Sequence, residues 1–358
     1  MAFSHTSQIL LSALAALAVS LLGVPWVCRW TLSKGLQDAP GERKIHTQAV
    51  SRLGGVGIFL GILAGFAAMI AIQWHYPHGY GLAGILVGAL LMFAVGVVDD
   101  LFNLPPMTKL LGQIIAVSIA WLLGVQVNTL DLPQSQLLIL NGLSYPVTVI
   151  WLLALANAMN FIDGVDGLAG GVTLFSAITL VVVASFTGQW ASVAMAAILA
   201  GAVMGFLTYN LPPAKLFMGD SGALLCGFLL GAISVTGVLK KPVAVMLLPI
   251  LILSVPLLDI TVATFRRLLK LKNPFKADAD HLHHKLLRTG MSHRRVISVF
   301  YGTCILAGAL ASAYVKSLPL YGLLIISGVG LLLLLSGLVR TWFPFTQALD
   351  PDGGLERN

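Results

Sequence analysis

Two adjacent aspartates, Asp99 and Asp100, are the first residues of this chain whose type and placement suggest chemistry. They lie in the stretch AVGVVDDLFN at 94–103 and follow 46 residues that contain no Lys, Arg, Asp or Glu. Adjacent carboxylates repel each other. At the C-terminal end of an apolar helix they would also meet the negative pole of the helix dipole. A compensating cation, substrate or proton is therefore expected there, and a hydrated helix end is the alternative.

A second polar group, NAMNFIDGVDGLAGG at 157–171, carries amides and carboxylates at every third position. Its members are Asn157, Asn160, Asp163 and Asp166. A straight helix cannot keep all four on one face, because each step of three residues drifts by about 60°. Gly164 and Gly167 predict that the helix ends and the chain turns, so that the carboxylates converge. Such oxygen ligands suit a hard cation such as Mg²⁺, and a network of Asx turns is the alternative.

Two further segments combine charge with turn-forming or imidazole side chains. In YNLPPAKLFMGDSG at 209–222, Asp220 begins a predicted helix, where it could cap the helix or where the helix start could bind phosphate. The segment RRLLKLKNPFKADADHLHHKLLRTGMSHRR at 266–295 mixes nine basic residues with His281, His283 and His284. Imidazoles beside Lys and Arg suit phosphate binding and proton transfer better than zinc binding, since no Cys lies nearby. A solvated basic loop is the alternative.

The elements that position these groups are predicted to be membrane helices. The chain of 358 residues is 58% hydrophobic and 10% charged, with a mean hydropathy of +0.92, whereas soluble proteins have about 25% charged residues. A spanning helix needs about 20 apolar residues. Eleven spans are predicted, at 7–27, 54–73, 80–98, 108–125, 145–161, 168–186, 190–208, 221–238, 242–263, 296–315 and 319–338. The expectation is an all-α polytopic membrane protein in which residues 1–358 form a single membrane domain.

Loop charges predict the orientation of these helices. With eleven spans, 18 Lys and Arg residues fall on one side of the membrane and three, Lys240, Lys241 and Lys316, on the other. The positive-inside rule then places the N-terminus outside and the C-terminus in the cytoplasm. All polar clusters, including 35–55, fall on the cytoplasmic face, while 126–142 falls outside and is expected to include a short strand pair. The net charge of +7 indicates topology and anionic lipid rather than nucleic acid.

A transporter is the competing class of protein. Transporters place ionisable residues near the bilayer midplane, often in broken helices of repeated halves. In this sequence the acids gather at one face, no internal repeat is evident, and Asp259 is the nearest candidate for an intramembrane charge. A proton-coupled carrier is therefore the weaker hypothesis.

In their order, the motifs VDD, NxxNFxDGxDG, FMGDSG and HLHH resemble those of the polyprenyl-phosphate N-acetylhexosamine-1-phosphate transferases. That family includes bacterial enzymes that begin O-antigen, enterobacterial common antigen and teichoic acid synthesis, and the peptidoglycan translocase. The resemblance implies a UDP-sugar donor, undecaprenyl phosphate as acceptor and UMP as leaving group. The HxHH form is similar to the GlcNAc-1-phosphate branch, which implies UDP-GlcNAc and leaves UDP-GalNAc, UDP-QuiNAc, UDP-FucNAc and UDP-MurNAc-pentapeptide open.

The resemblance also implies roles for individual residues. Expected catalytic residues are Asp99, Asp100, Asp163, Asp166 and His281, and the expected ligands of Mg²⁺, with Mn²⁺ as the alternative metal, are Asn160 and Asp220. Expected substrate-binding residues are Lys44, His46, Arg52, Lys109, Asn157, Asn210, Phe217, Arg267, His283 and His284. Among them, Asn210 and Phe217 match positions that contact uracil, and Arg267 with the histidine stretch matches a loop that closes over the donor.

By the same resemblance, Asp99 is the candidate for orienting or deprotonating the lipid phosphate. Direct displacement is favoured over a covalent enzyme intermediate, because a phosphate monoester is already a nucleophile. The implied setting is the bacterial cytoplasmic (inner) membrane, with membrane lipid around the protein and an active site on its cytoplasmic face. A homodimer is left open.

Overall fold

The computed structural model describes residues 5–34, 37–38, 50–72, 81–132, 136–236, 286–287 and 289–315. Within these residues the protein is mostly helical, and eight helices are long and apolar enough to cross a membrane. The helices are α1 (His5–Ser33), α2 (Gly54–Ala71), α3 (Leu82–Phe102), α4 (Pro106–Leu122), α5 (Ser144–Ile162), α6 (Leu168–Phe186), α7 (Trp190–Asn210), α8 (Gly219–Thr236) and α9 (His293–Val315). The chain is therefore an all-α polytopic membrane protein.

Two short antiparallel strand pairs connect the helices. The strands are β1 (Gln37–Asp38) with β2 (Val50–Ser51), and β3 (Thr129–Leu132) with β4 (Gln136–Ile139). The second pair agrees with the strand pair expected in 126–142. Ser51 also accepts the Phe217 backbone N–H at 2.9 Å. This bond ties the segment before α2 to the segment before α8.

The fourth predicted span differs from the helix that forms there. Instead of 108–125, α4 covers Pro106–Leu122 and has only 17 residues. It begins early because a proline is favoured in the first turn of a helix, where its missing N–H is not needed. The predicted spans 242–263 and 319–338 lie outside the described residues.

Helix α8 lies at the centre of the bundle. Every residue from Ser221 to Thr236 is buried, and α8 packs against α2, α3 and α5. A Cβ on Gly96 of α3 would overlap the Ser221 backbone, and a Cβ on Gly55 of α2 would overlap the Gly222 backbone. Small residues let membrane helices approach this closely, since lipid supplies no hydrophobic drive between them. The beginning of α8 is therefore held firmly against two neighbours.

The outer helices pack around this centre through their contacts with α2, α6 and α7. Helix α1 packs against α2 and α7, and α7 packs against α6. Helix α9 packs in turn against α6. Helix α9, whose first three residues end the basic segment 266–295, is thus connected to the bundle through α6.

Candidate active site

The turn between α3 and α4 brings Asp99 beside Lys109. Its corner is Asn103, which has a left-handed φ of 49° and donates its N–H to the Asp99 carbonyl at 2.8 Å. The Asp99 Oδ1 accepts the Leu104 N–H at 2.7 Å, and Asp99 Oδ2 lies 2.9 Å from Lys109 Nζ. The Lys109 and Asp99 side chains are only 16% and 13% exposed. Their ion pair therefore replaces hydration that both charges have lost.

Asp220 reaches the same point from the first turn of α8. Its Oδ2 accepts hydrogen bonds from Lys109 Nζ and from Asn160 Nδ2, the latter at 3.2 Å. Lys109 thus bridges carboxylates on α3 and α8. Asn160 joins them from the last turn of α5. Side chains from α3, α4, α5 and α8 therefore meet in one cluster, which we call the acidic cluster: Asp99, Asp100, Lys109, Asn160, Asp163 and Asp220.

Asp100 faces the backbone at the beginning of α8 rather than Lys109. Its Oδ1 accepts the Asp220 N–H at 2.8 Å, and its Oδ2 accepts the Ser221 N–H at 3.0 Å. The first amides of a helix lack partners within it, and the helix dipole favours a carboxylate there. The preceding Gly219 has a φ of 72°, and a Cβ on it would overlap the Arg52 carbonyl. Asp100 therefore caps α8 from another helix, the role that the sequence allowed for Asp220.

Asp163 enters the cluster from the loop after α5. The helix ends at Ile162 and the chain turns at Gly167, which has a φ of 77°, in agreement with the turn predicted from the glycines. Burial raises the pKa of the Asp163 carboxyl well above its usual range, and the negative charge of Asp100 raises it further. A hydrogen bond from the Gly219 backbone compensates the charged form only in part, so Asp163 is suited to meeting a cation or a proton.

Asp166 and Asn210 hold the neighbouring loops together. The Asp166 Oδ2 accepts the Ala214 N–H at 3.0 Å. The buried Asn210 accepts the Gly167 N–H through Oδ1 at 2.9 Å and donates Nδ2 to the Leu216 carbonyl at 2.8 Å. These bonds join loop 163–167 to loop 211–218. Asn210 is engaged with backbone groups on both sides, and its expected contact with the uracil stays a prediction.

Asn157 lies one turn before Asn160 and contacts α4. Its Nδ2 donates to Gln113 Oε1 at 2.7 Å, and Gln113 Nε2 donates back to Asn157 Oδ1 at 3.3 Å. Gln113 is completely buried and follows Lys109 by one turn. This amide pair fixes α4 against α5 next to the acidic cluster. Sequence analysis missed Gln113, whose signal is a lone amide in an apolar helix.

The other expected residues fall into two groups. Phe217 lies where two segments cross: its carbonyl accepts the Gly54 N–H at 3.0 Å. Arg52 lies beside this crossing, with its carbonyl against Gly219. Outside the described residues lie Lys44, His46, Arg267, His281, His283 and His284.

The donors of the acidic cluster can be compared with the needs of a divalent cation. Carboxylate and amide oxygens are the ligands that Mg²⁺ prefers, and Mg²⁺ usually combines one or two carboxylates with several waters. The Lys109 ammonium already occupies the space between Asp99 and Asp220, so positive charge is accepted there. In the part of the chain that the structure describes, no three His, Cys, Asp or Glu side chains form a ready-made metal cage. The residues fit a cation held by few protein ligands.

Comparison with known proteins identifies the kind of enzyme. The sequence profile of glycosyl transferase family 4 matches residues 82–238. A Bacillus subtilis protein named probable undecaprenyl-phosphate N-acetylglucosaminyl 1-phosphate transferase is 34% identical over 297 residues, which are 82% of this chain and 81% of the relative. The chain belongs to glycosyl transferase family 4. The resemblance found in the sequence motifs is thereby confirmed.

Two further relatives of this family 4 protein are also named as transferases of N-acetylglucosamine phosphate. Decaprenyl-phosphate N-acetylglucosaminephosphotransferase from Mycolicibacterium smegmatis is 32% identical over 320 residues, covering 82% of this chain and 79% of the relative. Undecaprenyl-phosphate alpha-N-acetylglucosaminyl 1-phosphate transferase from Thermotoga maritima is 32% identical over 256 residues, covering 70% and 72%. The family 4 protein is a sugar-1-phosphate transferase, and the transporter hypothesis is set aside.

Proposed function

We propose that this transferase moves GlcNAc-1-phosphate from UDP-GlcNAc to undecaprenyl phosphate and releases UMP. The relatives above are named as transferases of N-acetylglucosamine phosphate that use undecaprenyl or decaprenyl phosphate. The observation that carries the proposal is the acidic cluster, in which Lys109 bridges Asp99 and Asp220. A reaction that brings two anionic phosphates together needs preorganised cations and donors at that point. The product would begin O-antigen or another cell-envelope polysaccharide.

In the proposed reaction, an oxygen of the lipid phosphate attacks the β-phosphorus of the donor. The bond from this phosphorus to the oxygen that bridges to the α-phosphate breaks, and UMP leaves with the electron pair. Asp99, which stands at a helix end beside Lys109, would orient the lipid phosphate or accept its proton, the role that the family resemblance implies. The Lys109 ammonium can exchange a carboxylate for a phosphate oxygen as the substrates enter. This direct displacement needs no covalent enzyme intermediate.

A divalent cation, Mg²⁺ with Mn²⁺ as the alternative, is the proposed cofactor. Asp220 would hold it through its carboxylate and Asn160 through Oδ1, since the two side chains are already adjacent, with Asn160 Nδ2 at 3.2 Å from Asp220 Oδ2. When bound, it would neutralise charge on the diphosphate and stabilise the transition state. Asp100 contributes to this arrangement by fixing the backbone of Asp220.

The proposed location is the bacterial inner membrane, with eleven spans, the N-terminus outside and the acidic cluster facing the cytoplasm. The cluster forms where α3 and α5 end and where α4 and α8 begin, so it lies at one end of the bundle. An acceptor whose phosphate projects from the lipid surface can reach a site at helix ends. The segment 266–295, Lys44 and His46 are proposed to contact the donor from the same side.

A donor panel tests this function. Purified protein is incubated with undecaprenyl phosphate, Mg²⁺ and each of five donors: UDP-GlcNAc, UDP-GalNAc, UDP-QuiNAc, UDP-FucNAc and UDP-MurNAc-pentapeptide. UMP release gives kcat/KM, and mass spectrometry identifies the lipid product. UDP-GlcNAc should have the highest value, although GlcNAc and GalNAc differ at one hydroxyl and a mispaired buried group costs only about 1–3 kcal/mol. A better donor among the others removes the sugar assignment, and no lipid diphosphate from any donor overturns the reaction.

A further inference from the structure

Tyr301 of α9 contacts the loop between α5 and α6. Its hydroxyl donates to the Gly167 carbonyl at 2.7 Å. Its ring lies against α6, where a Cβ on Gly171 would overlap it, and 5.1 Å from the Phe175 ring. Gly171 therefore leaves a notch in α6 that admits the tyrosine. No motif in the sequence indicated this residue.

Gly167 is held on both sides of its peptide unit. Its N–H donates to Asn210 Oδ1 at 2.9 Å. Its carbonyl accepts the Tyr301 hydroxyl and also the Gly171 N–H, which begins the hydrogen bonding of α6 at 2.9 Å. The φ of Gly167 is 77°, a conformation that glycine adopts readily and other residues rarely do. Side chains from α7 and α9 thus fix the residue at which the loop turns into α6.

The loop held in this way carries two carboxylates of the candidate site. Asp166 directly precedes Gly167 and binds the Ala214 N–H at 3.0 Å. Asp163 lies at the other end of the loop and enters the acidic cluster beside Asp100. A movement at Gly167 would therefore displace both carboxylates and loop 211–218.

We propose that Tyr301 is a positioning residue for the donor: its hydroxyl holds Gly167 so that Asp163 and Asp166 keep the geometry that a nucleoside diphosphate requires. This inference rests on the proposed function and adds to it that loop 163–167, which carries the expected catalytic residues Asp163 and Asp166, faces the UDP-sugar. Tyr301 acts through the loop and touches no substrate itself.

Tyr301→Phe tests the hydroxyl and keeps the ring in the Gly171 notch. The matched control is Tyr209→Phe, which removes a hydroxyl that donates to the Leu21 carbonyl at 3.1 Å between α7 and α1. The KM for UDP-GlcNAc should rise about threefold to tenfold in Tyr301→Phe, the factor that corresponds to one hydrogen bond of ordinary net strength. The KM of Tyr301→Phe for undecaprenyl phosphate should stay within about twofold of the wild-type value. In Tyr209→Phe, the KM for UDP-GlcNAc and the KM for undecaprenyl phosphate should both stay within about twofold of wild type.

A double-mutant cycle separates positioning from general loosening of the fold. Asp166→Asn is measured alone and together with Tyr301→Phe. If the hydroxyl acts through the loop, Tyr301→Phe should have less effect on the donor KM in the Asp166→Asn background, because residues of one network are not additive. Additive effects, an unchanged donor KM in Tyr301→Phe, or an equal rise in Tyr209→Phe would overturn the proposal.

Binding of UDP by calorimetry makes the test independent of turnover. The Kd of UDP should rise by the same factor in Tyr301→Phe and stay at the wild-type value in Tyr209→Phe. If the wild-type protein transfers the sugar phosphate and Tyr301→Phe leaves the Kd of UDP unchanged, only the positioning role is wrong. A Tyr301→Phe effect on UDP affinity, in a protein that transfers no sugar phosphate, defeats the proposed transfer and leaves the positioning role intact.

Discussion

The two ends of the helical bundle hold polar groups by different means. In the acidic cluster, Lys109 is shared between carboxylates of two helices. At the opposite end, beside β3 and β4, neutral side chains bond to one another. There Trp121 Nε1 donates to Ser144 Oγ at 3.3 Å, and Ser144 Oγ donates to Asn128 Oδ1 at 2.9 Å.

This difference separates a structural network from a chemical one. At the hairpin end, Thr148 Oγ1 accepts the Val127 N–H at 2.9 Å and donates to the Ser144 carbonyl at 2.7 Å. The described side chains of this network are neutral and have hydrogen-bond partners, so the network holds the hairpin without offering a charge. In the acidic cluster, the Lys109 ammonium bridges two carboxylates, and burial raises the pKa of the Asp163 carboxyl. Unbalanced charge, rather than polarity alone, marks the end at which chemistry is expected.

The largest expected effect is that of Asp220→Ala at the acidic end. UMP release should fall by about 10³-fold or more, since removing a ligand of a cation that carries transition-state charge costs several kcal/mol. Ser144→Ala, which removes the hairpin-end hydroxyl, serves as control and should keep turnover within about threefold. A nearly normal Asp220→Ala enzyme would contradict both the cation assignment and the contrast between the two ends.

Lys109→Met should lower UMP release by about 10- to 100-fold, because a hydrogen bond to a charged group contributes about 1.5–3 kcal/mol. It should at the same time tighten Mn²⁺ binding, measured by electron paramagnetic resonance, because the ammonium no longer competes for the Asp220 carboxylate. Lys215→Met is the control, since Lys215 is exposed. Weaker Mn²⁺ binding in Lys109→Met would show that the lysine supports the cation rather than replacing it.

Asp100→Asn distinguishes a cap from a catalytic group. The amide keeps one acceptor oxygen for the two backbone N–H groups of α8, so the unfolding free energy should fall by about 1–2 kcal/mol. Turnover should fall by about tenfold, since Asp220 would lose part of its backbone anchor. Thermal unfolding and UMP release are measured together. Complete loss of turnover at an unchanged melting temperature would favour the catalytic role expected for Asp100 over a role as cap alone.

Thr148→Val should have the smallest effect on activity. It leaves the buried Val127 N–H without its acceptor, which costs about 1–3 kcal/mol of stability, so the melting temperature should fall. The kcat/KM for UDP-GlcNAc should stay within about twofold when measured well below that temperature. A tenfold loss would show that the hairpin end is coupled to the acidic cluster.

The sequence by itself determined the helical class and the turn after α5. Because backbone groups in lipid must form their hydrogen bonds within the protein, long apolar runs can only become helices or a closed barrel. Their length, and the lack of an alternation between apolar and polar residues, favour helices. The glycines at 164 and 167 correctly predicted the turn after α5. The charge pattern of Asp99 and Asp100 correctly indicated that compensation was needed. Family membership likewise followed from motifs that lie along the chain.

Only the tertiary structure decided which partner compensates each carboxylate. Asp99 pairs with Lys109, whereas Asp100 binds backbone amides of α8 that lie 120 and 121 residues away. Tyr301 meets Gly167 across 134 residues. Helical periodicity states which side chains share a face, but it does not state which helix packs against that face. That choice depends on close contacts such as Gly96 against Ser221, and these form only when the whole bundle assembles.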